Sequence, residues 1–282
     1  MSSVFDRLTA HAQQWDVAIK KTFETVTSVL AFGERRSARV VLKIIKHLGD
    51  EWHSGDIVRA FDGDGMVRVY EAEAGAVLLE RLDPGNELVK LVRDGNDEEA
   101  TQILAHVMNQ LAGHAAPDGC ATVFDWARGF ERYLNTADKQ LPDTLVHKAQ
   151  EIYHRLAASS SSTMLLHGDL HHYNVLFDAK RGWVAIDPKG VVGELEYEVG
   201  AILRNPGEQP DLFCSREVIE RRLRTLTDSL QLDYRRTLQW SFAQAVLSAI
   251  WGVEDGYAVE STHPALRLAQ TIERMLREED EL

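Results

Sequence analysis

Cysteine is scarce. The chain has Cys120 and Cys214 in 282 residues. They lie far apart and outside any CxxC or Cys/His ligand spacing, which argues against a disulfide framework and a structural zinc site. No stretch approaches the roughly 18 apolar residues of a membrane span. The opening MSSVFDRLTAHAQQWD is polar and carries no apolar signal core. A reducing, cytoplasmic setting is expected. Positive charge is also short: 31 basic side chains face 44 acidic ones, a formal net charge of −13. Such a surface repels phosphate backbones, so nucleic acid is not an expected partner. A nucleotide site would have to be locally basic or metal-bridged. A cationic small molecule would be attracted, although acidity also serves solubility alone. Repeats and low-complexity segments are absent.

What is present changes texture along the chain. Val4, Phe5 and Leu8 predict a short opening helix over 4–14. TVTSVLAF and ARVVLKII, split by GERRS, predict a β-hairpin within 15–45. Residues 49–61 predict a short helix capped near Asp50. DGDG at 62–65 is a turn signal, followed by a second hairpin from MVRVYEAEAG and AVLLERL. Asp83-Pro84-Gly85 looks like a linker. Three amphipathic helices follow, then short strands TMLLHGD, NVLFD and WVAID, then a mostly helical remainder. The expected fold class is α+β with two lobes. A small β-rich N-lobe takes 1–82, and a larger helical C-lobe takes 83–282.

The densest polar cluster is LLHGDLHHYNVLFD, 165–178. An apolar strand ends at His167, and a glycine turn leads into Asp169, two histidines and Asn174. WVAIDPKG repeats the logic, with a strand delivering Asp187 and Pro188 ending it. Strands flanking a loop dense in Asp, His and Asn make a rigid frame for a polar site. Phosphoryl transfer asks for this set. Mg2+ prefers hard oxygens, here the Asp187 carboxylate and the Asn174 amide. A second carboxylate, Asp169, would orient an acceptor hydroxyl and take its proton. His167, His171 and His172 could instead be zinc ligands of a metal hydrolase, but Asn174 and Lys43 would then have no role.

HGDLHHYN resembles the catalytic loop of the protein-kinase-like fold, with Asp187 where that fold places its metal-binding Asp. More narrowly, HGDLHHYNVLF…WVAIDPKGVVGELEYEVGAILRNP resembles the aminoglycoside/hydroxyurea antibiotic resistance kinase family, which includes streptomycin 6-kinases. SAIWGVEDG, 248–256, looks like a C-terminal segment of that family. The likeness is strong over 165–206 and usable over 40–85. It implies an ATP- and Mg2+-dependent kinase that phosphorylates a hydroxyl of a small, cationic molecule such as an aminoglycoside. Asp169 would be the catalytic base, and Asn174 and Asp187 the metal ligands. Lys43 would bind phosphates with Glu51 as its ion-pair partner, although Asp50 and Asp56 lie near. The hinge would fall at Glu80-Arg81-Leu82, where backbone groups pair with adenine. The family's range leaves two other readings: a kinase of an amino sugar or amino alcohol, and a catalytically silent nucleotide-binding module. A monomer or homodimer is expected.

The hairpin before Lys43 has no G-x-G-x-x-G. Its only glycine is Gly33, so backbone amides with Ser28 or Ser37 would cover the phosphates. His171 and His172 are substrate-contact candidates or packing residues. Glu194, Glu196 and Glu198 alternate and could face one side of an extended segment to receive a cation, or form a solvated loop. Arg204 and Asn205 would tie this segment to the catalytic loop. Glu254 and Asp255, after Trp251 at a helix end, suit cation recognition beside an aromatic face, or simply end the helix.

Overall fold

The computed structural model describes residues 3–280 except 138 and 261. Helix α1 (Val4–Gln14) starts from a capping box: Asp6 N–H donates to the Ser3 hydroxyl and Ser3 N–H to the Asp6 carboxylate. It lies on a five-stranded antiparallel sheet ordered β1-β2-β3-β5-β4. The strands are β1 (Ala18–Glu24), β2 (Ser28–Arg35), β3 (Ala38–Ile45), β4 (Val69–Glu73) and β5 (Ala76–Glu80). Along β3, Val40, Leu42 and Ile44 face the core that α1 closes with Leu8 and Trp15. Lys43 alternates onto the other face.

This sheet has one strand more than the two expected hairpins. β1 is exposed along its whole length. An edge strand that buries neither face need not alternate apolar with polar residues, so its period is silent. Between β3 and β4, a 3-10 turn (Asp50–His53) leads into α2 (Ser54–Ala60).

The expected linker at Asp83-Pro84-Gly85 is corrected. Pro84–Glu87 is a strand, β6, paired antiparallel with β8 (Val175–Asp178), which pairs in turn with β9 (Gly182–Ala185). The only main-chain donor lost to Pro84 is at the first residue of an edge strand, where proline is tolerated. A two-stranded unit joins β7 (Met164–Leu166) to β10 (Val191–Gly193).

The helices are α3 (Val89–Arg93), α4 (Asp97–Leu111), α5 (Val123–Leu134), α6 (Asp143–Ala158), α7 (Leu195–Leu203), α8 (Pro210–Phe213), α9 (Arg216–Leu230), α10 (Tyr234–Glu254) and α11 (Pro264–Asp280). α10 is central and packs against α5, α6, α7 and α11. Tyr153, Tyr197 and Trp240 meet edge to face within this core, with centroids 4.9 to 5.9 Å apart. Ile57 and Val58 of α2, and Phe61 at its C-terminal cap, join the larger core rather than the sheet's own. α2 thereby sits between the two cores, directly above the segment after Asp187.

Candidate active site

The loop between β7 and β8 is held from below by groups with no access to solvent. His167 is fully buried. Its Nε2 donates to the Ile186 carbonyl at 2.9 Å, and its Nδ1 accepts from Asp169 N–H at 3.3 Å. Burial lowers its pKa to about 4, so the ring is neutral and acts as a strut. Glu198 of α7 is buried and accepts from the backbone N–H of Gly168 at 3.0 Å and of Leu170 at 3.3 Å. These two amides flank Asp169. Gly168 has φ +80°, and a Cβ there would come within 2.9 Å of Trp126.

Asp169 itself receives Arg204 Nη2 on Oδ1 at 3.0 Å and stands 3.5 Å from His171 Nε2 through Oδ2. Burial pushes its carboxyl up, but His171 and the Arg204 guanidinium outweigh that and hold it well below the usual range. Asn174 Nδ2 donates to the Asp169 carbonyl at 2.9 Å, and the Asn174 carbonyl accepts from Ile186 N–H at 2.9 Å. The loop is thus laced to the end of β9, one residue before Asp187.

Asp187 has φ +59° and pairs with Lys43 at 2.5 Å. Burial raises its carboxyl, and Lys43 more than reverses this. Glu51 lies 3.6 Å from Lys43 and is bonded directly to Lys189. Lys43, Glu51 and Asp187 therefore meet in one place.

The strand register separates the two serines proposed as phosphate cover. Ser28 lies opposite Ile45, at Lys43's end of the sheet, and bonds Thr25. Ser37 is in the turn between β2 and β3, six residues and about 20 Å of strand from Lys43. The loop at Lys43's end is Thr25–Thr27, between β1 and β2, not the GERRS turn. Gly33 answers to packing: a Cβ there would lie 2.6 Å from the Ala18 carbonyl of β1. At the hinge, the Glu80 carboxylate bonds Arg68 N–H and Arg181, while Leu82 is buried.

A cavity of about 1000 Å³ opens beside Asp169 and Gly168. Glu254 and Asp255 line it, with Trp251 and Trp126 as an aromatic wall. Glu254 is held by Arg132 at 2.8 Å. Asp118 and Asp125, which the sequence did not single out, add carboxylates, as does Asp56, which had stood as an alternative partner for Lys43. They come from three separate elements, so no local pattern marks them.

Other candidates do not gather here. Glu194 is buried against Arg236 and the Trp240 indole. His172 is fully buried and does not line the cavity. Leu195 opens a helix rather than an extended segment, so Glu194, Glu196 and Glu198 do not share a face. Glu196 is half-buried, and burial raises its carboxyl.

The donor chemistry fits a hard cation. Asn174 spends its Nδ2 on the loop, which leaves its amide oxygen to join the Asp187 carboxylate. Two protein oxygens, completed by water and phosphate, suit Mg2+. Among the described residues, no three His, Cys, Asp or Glu side chains gather as a metal set. Both nitrogens of His167 are committed to backbone, so it is not available as a zinc ligand.

The model of the aminoglycoside/hydroxyurea antibiotic resistance kinases matches residues 11–256. The chain belongs to this family. It is 33% identical over 212 residues to streptomycin 6-kinase of Streptomyces griseus, covering 71% of this chain and 66% of that one, just under two thirds. It is 30% identical to streptomycin 3''-kinase of Klebsiella pneumoniae, covering 77% and 80%. Hydroxyurea phosphotransferase of Kitasatospora aureofaciens is 34% identical, covering 73% and 61%. The family's kinases are thus named for two positions of one antibiotic and for a different molecule.

Two solved structures share the two-lobed, protein-kinase-like α+β fold. A choline/ethanolamine kinase family protein from Mesorhizobium loti has a TM-score of 0.65 at 15% identity, covering 99% and 96% of the two chains. A thermostable aminoglycoside phosphotransferase mutant, in ternary complex with AMP-PNP and hygromycin B, has 0.65 at 14%, covering 97% and 99%. No described helix is long and apolar enough to cross a membrane.

Proposed function

We propose that the chain transfers the γ-phosphate of ATP to a hydroxyl of a small cationic molecule, with an aminoglycoside of the streptomycin type as the leading substrate. One observation carries this reading. Lys43 and Asp187, 144 residues apart in sequence, meet in an ion pair. Asp169 meanwhile borders an acidic, aromatic-walled cavity.

Lys43, kept in place by Glu51, binds the nucleotide phosphates, and the Glu80–Leu82 hinge receives adenine. The Thr25–Thr27 loop covers the phosphates from the sheet side, and Ser28, buried and bonded to Thr25, braces that loop. Mg2+, when held by Asn174 and Asp187, neutralises phosphate charge. Asp169 orients the acceptor hydroxyl and takes its proton late, since its low basicity makes early proton abstraction unfavourable. Glu254, Asp255 and the neighbouring carboxylates receive the substrate's positive charge, with Trp251 and Trp126 offering ring faces. His171 borders the same acceptor through its contact with Asp169. On this reading the enzyme is cytoplasmic and a monomer or homodimer.

The test is incubation with Mg-ATP and a panel of streptomycin, other aminoglycosides, amino sugars and amino alcohols. ADP release and a gain of one phosphate in mass identify the acceptor. Asp169→Ala should lower turnover by about 10²–10⁴-fold while keeping ATP binding. Firm ATP binding without transfer to any acceptor would replace this reading with the silent nucleotide-binding module.

A further inference from the structure

Lys189 is bonded to Glu51 beside the Lys43–Asp187 pair. It stands two positions past Asp187. Its backbone N–H and that of Gly190 both donate to the His167 carbonyl, at 2.9 and 3.0 Å. Its stem lies against the residue before Asp169: a Cβ on Gly168 would be 3.5 Å from Lys189 Cβ. From above, α2 closes on the same segment, since a Cβ on Gly190 would meet Ile57 at 2.7 Å. Lys189 is therefore fixed at its backbone by the strap joining the metal-side Asp187 to the acceptor-side Asp169.

Its side chain differs from Lys43 in where it opens. Lys43 is 9% exposed and faces Asp187, whereas Lys189 is 39% exposed and lines the acceptor cavity. The other cavity cations are matched to cavity carboxylates: Arg204 to Asp169, Arg132 to Glu254, and Arg128 to Asp125 at 3.4 Å. Lys189 takes its partner, Glu51, from outside the cavity wall. Glu51 also lies 3.6 Å from Lys43, and its Oε2 is buried without a hydrogen bond. One carboxylate thus stands between two lysines and can serve Lys43 when Lys189 turns away.

A γ-phosphoryl group moving toward this cavity meets Asp56, Asp118, Asp125, Asp169 and Glu254. It needs a cation on that side. We propose that Lys189 is a further catalytic residue, which leaves Glu51 to contact the transferring phosphoryl group and neutralise its equatorial oxygens. In that step the acceptor oxygen–phosphorus bond forms as the bond from γ-phosphorus to the bridging oxygen breaks. The acceptor's proton passes to Asp169, and ADP leaves with the electron pair. The inference rests on the kinase reading above.

The test compares wild type, Lys189→Met and Lys189→Arg. Three quantities are measured: turnover of streptomycin with Mg-ATP, affinity for Mg-ADP with and without aluminium fluoride, and thermal unfolding. Lys189→Met should lose about 10²–10³-fold in kcat and a similar factor in the gain that aluminium fluoride gives to Mg-ADP binding. Affinity for Mg-ADP alone should stay within about threefold, because that complex lacks the transferring group. Lys189→Arg should recover most of the lost kcat. Near-normal kcat in Lys189→Met overturns the proposal. So does a loss of kcat matched by equal losses in plain Mg-ADP affinity and melting temperature, which would make Lys189 only a tether for Glu51. A wild type that neither transfers phosphate nor binds Mg-ADP more tightly with aluminium fluoride overturns the kinase reading itself.

Discussion

Arg204, which caps the C-terminal end of α7, places Nη2 3.0 Å from Oδ1 of Asp169. Its Nη1 donates to Gln244 Oε1 of α10 at 3.1 Å. The Asp169 carboxylate is thus oriented by a guanidinium that is itself braced from the central helix. With His171, this contact outweighs burial and keeps Asp169 ionised far into acid. With Asp169 in the proposed role the working form is the carboxylate, so activity should persist as pH falls until that group protonates. In Arg204→Leu, burial is no longer opposed by the guanidinium, and the Asp169 pKa rises. The acid limb of kcat/KM should move to higher pH, with Mg-ADP affinity unchanged. A pH–rate profile of the variant checks this; a limb that stays put would separate Arg204 from the electrostatics of Asp169.

The polar loop between β7 and β8 was legible because its signals are local. Two short apolar strands bracket HGDLHHYN, and the next delivers Asp187. The tie from Arg204 to Asp169 was expected only from the family resemblance, and the contact of Lys189 with Glu51, 138 positions away, is encoded by no period. The glutamates after Gly193 misled for a specific reason. Leu195, Tyr197 and Val199 alternate with Glu194, Glu196 and Glu198, which imitates a strand. In the fold Tyr197–Leu203 is buried on every side of α7, and such a helix has no polar face to betray its 3.6-residue period. Glu194 and Glu198 are polar residues inside a core, and only their buried partners explain them.

Asp97 supports the site from behind the loop that carries Arg204. Arg222 is 1% exposed and pairs with Asp97 at 2.5 Å. The same guanidinium donates to the carbonyls of Ile202 at 3.1 Å and Asn205 at 2.6 Å, the residues that bracket Leu203 and Arg204. Burial pushes the Asp97 carboxyl up, and Arg222 and Arg221 bring it below its ordinary value. Removing the acid leaves a buried cation uncompensated, which costs about 3–5 kcal/mol. Asp97→Ala should therefore unfold at markedly lower urea concentration. It should also lose turnover, since the turn carrying Arg204 hangs on Arg222. Equilibrium denaturation followed by tryptophan fluorescence measures the first effect, and an unchanged midpoint would contradict the role assigned to this pair.

Glu198 makes the stability of the catalytic loop depend on pH. Burial raises its carboxyl from 4.5 to about 7, against the pull of the Gly168 and Leu170 amides, with the Asp169 charge adding to the rise. The folded state therefore holds a proton that the unfolded chain releases between those two values. That contribution to stability is fully present below pH 4.5 and is lost as pH rises through about 7. Its full span is on the order of 3 kcal/mol. Gln keeps a carbonyl oxygen for the two amides but does not titrate. Glu198→Gln should thus match wild type near pH 4.5 and exceed it in stability by pH 8, with the difference growing across the neutral range. Unfolding free energies of both proteins over that interval decide the matter. A difference that is flat with pH would mean that Glu198 stays ionised in the fold and holds the loop as a charged acceptor.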